Sequence, residues 1–127
     1  MIIVFINCKL FPFVQWIITG LKLYETRNRN TLKNLIGKTV YLAETGKGKR
    51  PIVKCSCVIQ DPVIVESKRE YNRLRKYTMV KPRSVYDFGS ATKRKYLYKL
   101  DNVKRCKPFV MPDNAVYHGR IYATVND

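Results

Sequence analysis

The sequence predicts an α+β fold: a small mixed or antiparallel β-barrel of about six strands flanked by two or three helices. Two observations support this. The chain has 127 residues, of which 46% are hydrophobic, and this suits a single globular domain over 1–127. Short apolar stretches recur between turn residues, and most alternate with the period of a strand. No apolar run is long enough to span a bilayer.

The elements are predicted in the order strand, helix, strand, followed by a strand-rich remainder. Pro12 suits the first turn of a helix that carries an apolar stripe of Phe13, Trp16 and Ile17, and Gly20 ends that helix. We expect Phe13 and Trp16 to be core residues. The predicted strands are 2–7, 23–27, 39–45, 52–60, 96–100 with an extension over 103–106, and 119–125, and the predicted helices are 11–19, 31–36 and 65–77.

The charge balance points to a polyanionic partner. The formal net charge is +16, from 25 Lys and Arg residues against 9 Asp and Glu residues. So large a positive field on a small domain favours nucleic acid. Between residues 68 and 95, basic groups alternate with Tyr77, Tyr86 and Phe88, as stacking and phosphate contact require. A biased amino-acid composition is the alternative explanation. We therefore expect RNA, single-stranded nucleic acid or a modified nucleoside as the partner.

Cysteine and histidine usage argues against metal or histidine chemistry. The four cysteines are expected to be reduced thiols, since no secretion leader is apparent, and a cytoplasmic location without a membrane partner is expected. Cys55 and Cys57 lie two apart, so a strand places both on one face, and a zinc site with Cys106 and His118 has no recognisable spacing. No cofactor or metal is expected. His118 is the sole histidine, which excludes a two-histidine ribonuclease mechanism.

The segment from Gly20 to Arg27 concentrates polar chemistry. If a strand begins near Leu23, then Leu23, Glu25 and Arg27 share one face while the two intervening side chains share the other. A glutamate and an arginine two apart on a strand can pair with each other or bind a polar ligand together. Lys22 would lie on the preceding turn, able to reach the same place. The alternative is a solvated surface ion pair.

This segment resembles a known signature. Gly20-x-Lys22-x-x-Glu25-x-Arg27 is similar to the G-x-K-x-x-E-x-R motif of the ASCH domain family, which belongs to the PUA-like superfold. The preceding residues 10–18 resemble the family's Q-P-[YW]-A segment and aliphatic helix. The resemblance is close over about residues 1–45 and looser beyond. It implies a PUA-like barrel that binds RNA or modified bases in a cleft lined by Lys22, Glu25 and Arg27.

The resemblance leaves binding and catalysis open. The expected function is binding of RNA or a modified nucleotide. The alternative is an enzyme, either a metal-independent ribonuclease or an amidohydrolase acting on a modified cytidine. The amidohydrolase branch carries a threonine where this chain has Glu25, and only Glu66 and Glu70 are candidates for its further acidic residue. A third hypothesis is a protein-interaction adaptor that uses the basic surface.

Candidate site residues follow from these hypotheses. Lys22 would hold a phosphate, Glu25 would accept from a base edge or act as a general base, and Arg27 would clamp phosphate. The glycine-rich basic loop 46–51 lacks the spacing of a P-loop but is a candidate phosphate contact, with a solvated hairpin as its alternative. If the protein is an enzyme, the catalytic candidates are Lys22, Glu25 and, more weakly, Tyr24; the nucleic-acid-binding candidates are Lys22, Arg27, Arg29, Lys47, Lys49, Arg50, Arg73 and Lys76.

Overall fold

A computed structural model describes residues 1–126 of the chain. Seven strands form one mixed sheet, which is accompanied by two α-helices and a short 3₁₀ turn at Lys33–Leu35. The α+β class is therefore as predicted. The elements are β1 (Ile2–Asn7), α1 (Phe13–Ile18), β2 (Tyr24–Arg27), β3 (Thr39–Thr45), β4 (Ile52–Val65), α2 (Lys68–Thr78), β5 (Lys95–Val110), β6 (Val116–His118) and β7 (Tyr122–Thr124).

The sheet is open, which corrects the prediction of a six-stranded barrel. The strand order is β2-β5-β4-β3-β1-β7-β6. Because β2 and β6 stand at opposite edges and do not pair with each other, the sheet formed within residues 1–126 is not closed. β1 pairs with β3 in parallel, whereas the other neighbouring strands are antiparallel. A parallel pair requires a crossover, here the segment that contains α1 and β2.

The longest strands extend beyond their predicted ends. β4 was expected to end at Gln60, yet it continues through Pro62 to Val65, and β5 runs on to Val110. Their mutual register shifts at three places, one of them between Ile59 and Pro62. A proline is tolerated within a strand at such an irregularity, because no regular ladder hydrogen bond is needed there.

The helices are shorter than or shifted from their predicted spans. α1 covers Phe13–Ile18 instead of 11–19, and Gly20 follows it with a φ of 82°, as expected of a glycine beyond a helix end. The helix predicted over 31–36 is only the 3₁₀ turn. α2 begins after Ser67, whose hydroxyl oxygen accepts a hydrogen bond from the Glu70 backbone N–H at 3.1 Å.

The C-terminal hairpin was only half predicted. A strand was expected over 119–125; the structure has β7 at Tyr122–Thr124 and an additional strand, β6, at Val116–His118. All three β6 residues are exposed, so they lack the alternation of buried and exposed positions that identifies a strand in sequence. A three-residue turn containing Arg120 joins the two strands.

The main core lies between the sheet and α1. β4 buries alternate residues, including Cys55, Cys57 and Ile59, which confirms its predicted inward face. Burial raises the pKa of the Cys55 and Cys57 thiols to about 12, so both are inert packing groups at neutral pH. Phe13 is buried in this core, as predicted, and Trp16 packs against it half-buried. No helix within residues 1–126 has the length and apolarity needed to cross a membrane.

Candidate functional site

A pocket of about 350 Å³ opens beside the carboxyl ends of β1 and β3. Asn7 and Thr45, which pair at the end of the parallel strands, both contribute to its rim. Its volume falls in the range of small-molecule sites. We call this cavity the signature pocket; its lining residues are Phe5, Ile6, Asn7, Phe13, Lys22, Glu25, Thr26, Arg27, Asn28, Thr45, Val80, Val85, Tyr86, Lys95 and Arg120.

Glu25 is the centre of the signature. Its carboxylate accepts a hydrogen bond from Arg27 at 3.0 Å and lies 3.8 Å from the Lys22 ammonium. Arg27 also donates to the backbone carbonyl oxygen of Phe5 at 2.9 Å. The predicted pairing of Glu25 and Arg27 on one strand face is therefore present, and it ties β2 to β1 across the pocket.

Lys22 is buried, whereas the sequence placed it loosely on a turn. Its residue is 2% exposed, its Nζ donates to the Thr78 carbonyl oxygen at 2.6 Å, and it lies 4.6 Å from the centre of the Phe13 ring. Burial, only partly offset by Glu25, lowers the pKa of Lys22 to about 8. A lysine with this pKa exchanges its proton close to neutral pH.

Two further cations line the pocket: Lys95 was predicted only as part of the basic segment 68–95, and Arg120 was not predicted. Lys95 is only 3% exposed, and neither it nor Arg120 makes an ion pair or hydrogen bond through its side chain with residues 1–126. Burial lowers the pKa of Lys95, and Asp87 partly opposes this shift. Removing an ammonium from water is costly, and the attraction of Asp87 offsets only part of that cost for Lys95. No local motif marks either residue, since only the tertiary fold brings them to Glu25.

Aromatic and loop residues complete the pocket wall. The rings of Phe13 and Tyr86 meet edge to face with centroids 5.2 Å apart. Tyr86 lies on the loop after α2, which Asp87 fastens by accepting hydrogen bonds from Arg75 and from the Arg83 backbone, both at 2.8 Å. Although burial alone would raise it, these hydrogen bonds hold the pKa of Asp87 below its usual value.

The remaining predicted cations lie outside the signature pocket. Lys47 is 3.8 Å from Glu44, and Arg50 hydrogen-bonds to Asp113 and to the Met111 carbonyl oxygen. The others are exposed without an ionic partner among residues 1–126, and they are Arg29 after β2, Lys49 in the basic loop, and Arg73 and Lys76 on α2.

The weaker catalytic candidates also lie elsewhere. Tyr24 packs against a second hydrophobic cluster, which includes Tyr71 of α2 and Leu97 of β5, and it does not line the pocket. Glu66 is 3.7 Å from Arg94, and Glu70 takes part in the cap of α2. His118 lies 3.0 Å from the Thr124 hydroxyl. Within residues 1–126, no group of three or more histidine, cysteine or acidic side chains is arranged to hold a metal ion.

The protein is an α+β protein with an open seven-stranded mixed sheet. Its charged pocket lies at the end of the parallel strand pair. No family model matches the sequence, and no curated protein matches it. The fold is similar to the crystal structure of ASCH from Zymomonas mobilis, with a TM-score of 0.69 and 15% identity over 87% of this chain and 73% of that one. Two mutant forms of that protein match with TM-scores of 0.68 and 15–16% identity, covering 86–87% of this chain and 72–75% of theirs.

The resemblance to ASCH domains predicted from the signature is therefore confirmed in the fold. This chain has the ASCH-type fold.

Proposed function

We propose that the chain binds RNA or a modified nucleotide in the signature pocket. The observation that carries this proposal is Lys95, a buried ammonium with no ion-pair or hydrogen-bond partner in the described chain. Together with Lys22, Arg27 and Arg120 it gives the pocket four cationic side chains against the single carboxylate Glu25 among its lining residues. Such an excess suits a ligand that carries negative charge.

The pocket also offers surfaces suited to a base. The Phe13 and Tyr86 rings supply apolar walls, while Asn7 and Asn28 contribute amide groups that can donate and accept. A nucleotide combines a flat apolar face, polar base edges and an anionic phosphate, and each of these finds a complementary group. The overall charge of +16 favours the approach of a polyanion.

The direct test is Lys95→Met, measured by the affinity for a short single-stranded RNA. Because the Lys95 ammonium makes no hydrogen bond or ion pair within residues 1–126, the substitution leaves no hydrogen-bond partner unsatisfied. Within the protein it removes the electrostatic attraction between Lys95 and Asp87. We expect the affinity to fall by about tenfold or more, the usual worth of a hydrogen bond to a charged group. We also expect the free energy of unfolding to hold or rise, because a buried charge is removed.

The matched control is Lys104→Met, which removes the same charge from an exposed position on β5. It should weaken RNA binding much less than Lys95→Met. If the two variants lose equal affinity, the ligand contacts the overall field and not the pocket. If Lys95→Met binds as tightly as the unsubstituted protein, the proposal is wrong.

A second candidate function is hydrolysis of a bound nucleotide in the same pocket, as a metal-independent ribonuclease or an amidohydrolase. The observation that favours it is the pKa of about 8 at Lys22, which lies beside the Glu25 carboxylate. A lysine and a carboxylate so placed can divide the roles of general acid and general base. The absence of Glu66 and Glu70 from the pocket lining leaves Glu25 to supply the carboxylate.

Glu25→Gln separates the two functions. If the site only binds, RNA affinity should hold or rise, since a negative charge near the phosphate is removed. If the site hydrolyses RNA or an acylated cytidine, turnover should fall by about 100-fold or more while binding survives. Unchanged turnover in this variant would exclude Glu25 as the general base.

A further inference from the structure

A second, smaller pocket adjoins the signature pocket. It has a volume of about 210 Å³ and is lined by Phe5, Thr45, Pro51, Tyr117, Gly119 and Arg120. We call it the flanking pocket. Phe5, Thr45 and Arg120 line both cavities, so the two cavities are adjacent.

The walls of the flanking pocket differ from those of the signature pocket. No acidic side chain lines it, and Arg120 is its only ionic group among the described residues. The Phe5 and Tyr117 rings lie side by side, with centroids 5.5 Å apart and planes inclined by 30°. Phe5 is buried, whereas Tyr117 is 55% exposed on the edge strand β6. An exposed ring beside an apolar cavity is a surface on which a nucleobase stacks.

Arg120 occupies the boundary between the cavities. It lies on the turn joining β6 and β7, its residue is exposed, and its side chain has no hydrogen bond or ion pair within residues 1–126. A guanidinium presents several donors in a plane and binds phosphate oxygens in pairs. In a nucleic-acid strand the group between two neighbouring nucleosides is a phosphate. The arrangement of two pockets with a cation between them therefore matches two bases with a phosphate between them.

We propose that the flanking pocket binds the nucleotide next to the one held in the signature pocket, with Arg120 on the phosphate that joins them. The inference rests on the proposed function and extends it. The ligand is then a strand of at least two nucleotides, and a free nucleoside fills only half of the site. The base in the flanking pocket is held by stacking on Tyr117, which any base satisfies.

The test compares the binding of the four nucleosides with that of the four dinucleoside monophosphates in which both bases are the same. A dinucleoside monophosphate adds to a nucleoside one linking phosphate and a second nucleoside, which consists of a base and its ribose. For the unsubstituted protein we expect tighter binding of the longer ligand. Tyr117→Ala should remove about fivefold or more of this gain, as expected for loss of one stacked base. Arg120→Gln should remove a further part of the gain in affinity. The affinity for nucleosides should stay nearly unchanged in Tyr117→Ala.

Two controls accompany these variants. Tyr117→Phe keeps the ring and should bind the dinucleoside monophosphate as the unsubstituted protein does. Val116→Ala shortens the exposed neighbour of Tyr117, whose side chain points to the other face of the strand, and should also have no effect. Nucleoside 3′- and 5′-monophosphates carry the phosphate without the second base, so whichever of them places its phosphate on Arg120 should respond to Arg120→Gln and not to Tyr117→Ala.

The outcomes distinguish this inference from the proposed function. If nucleosides bind but Tyr117→Ala retains the full gain from the second nucleotide, the flanking pocket is not a nucleotide site and the signature pocket stands. If Tyr117→Phe loses as much as Tyr117→Ala, stacking is not the interaction and the inference is overturned. If neither nucleosides nor dinucleoside monophosphates bind, the proposed function fails and the inference fails with it.

Discussion

At the scale of single residues, the pocket is built from groups held in place by one another. Glu25 fixes Arg27, and Arg27 in turn reaches the Phe5 carbonyl. Lys22 is held by the Thr78 carbonyl at the end of α2. Lys95 and Arg120 have no such partners, which leaves them available to a ligand. The pocket thus contains both positioned and uncommitted cations, and we assign the ligand contacts first to the uncommitted ones.

The depressed pKa of Lys22 predicts opposite pH dependences of binding and stability. Above pH 8 the folded protein loses the Lys22 proton, so affinity for RNA should fall as the pH rises from 7 to 9. Between pH 8 and 10.5 the unfolded chain binds the extra proton, so Lys22 should make the folded state more stable as the pH rises, by about 3 kcal/mol in all.

The measurement is the difference between the unsubstituted protein and Lys22→Met. Buried thiols such as Cys55, whose pKa is raised, contribute a fall in stability over the same range, and the difference cancels them. For each protein, the affinity for RNA is measured by ligand titration and the free energy of unfolding by denaturant, both from pH 7 to 10. Parallel curves for the two proteins would show that Lys22 does not titrate in this range.

The sequence predicted the signature residues but only part of the pocket. Lys22, Glu25 and Arg27 fall within six residues, and strand alternation correctly placed Glu25 beside Arg27. Lys95 and Arg120 come from distant elements, and no local pattern distinguishes them from the other basic residues of so cationic a chain. The burial of Lys95, and the lack of a hydrogen-bond or ion-pair partner for either side chain within residues 1–126, are visible only in the tertiary structure.

At the scale of elements, the loop after α2 forms one wall of the signature pocket through Val80, Val85 and Tyr86. Asp87 anchors this loop to α2 through Arg75 and caps it by accepting from the backbone N–H groups of Arg83 and Phe88. The position of this wall therefore depends on the hydrogen bonds that the Asp87 carboxylate accepts.

Asp87→Asn tests the anchor. The substitution keeps the shape but removes the charge, so we expect the free energy of unfolding to fall by about 1–3 kcal/mol, the usual worth of hydrogen bonds to a charged group. Because the folded pKa of Asp87 is depressed, its contribution is present above the unfolded pKa, near 4, and is lost as the pH falls through the lower folded value. Denaturant unfolding at pH 7 and pH 3 measures both.

The control is Asp61→Asn, at an exposed aspartate in β4 that has no ionic partner within residues 1–126. It should change stability by much less. An equal loss in both variants, or a loss in Asp87→Asn that persists undiminished at pH 3, would contradict the anchor.

Strand ends were predicted well only where burial and turn residues coincided. β1, a continuous apolar run, and β3, an alternating one, match their predicted spans because each ends at polar turn residues. β4 continues past Asp61 and Pro62 because the register shift accommodates a residue that normally ends a strand. β6 was missed because its residues are exposed on an edge, where no core face imposes alternation.

At the scale of the whole molecule, the class was predictable and the closure of the sheet was not. Counting strands gives no information on their order, and the order leaves β2 and β6 at opposite edges. The parallel pairing of β1 with β3 brings their carboxyl ends together. The Arg27 side chain on β2 reaches the Phe5 carbonyl oxygen on β1, and residues of both strands line the pocket.

The charge of the whole molecule predicts salt-sensitive binding. If several phosphates are neutralised, the logarithm of RNA affinity should fall linearly with the logarithm of salt concentration, by about 0.7 per contact on a single strand. Removing the pocket contact in Lys95→Met should reduce the slope by about one such unit. Affinity that does not change across a salt titration would exclude phosphate neutralisation as a source of binding.

The central claim is that the signature pocket, and not the basic outer surface, is the ligand site. Backbone amide chemical shifts recorded during titration with a short single-stranded RNA test it most directly. We predict the largest changes at residues 22–28, at Tyr86, at Lys95 and around Arg120, with small changes along α2 at Arg73 and Lys76. Changes concentrated on α2 and on residues 99–107, with the signature residues unmoved, would contradict the claim.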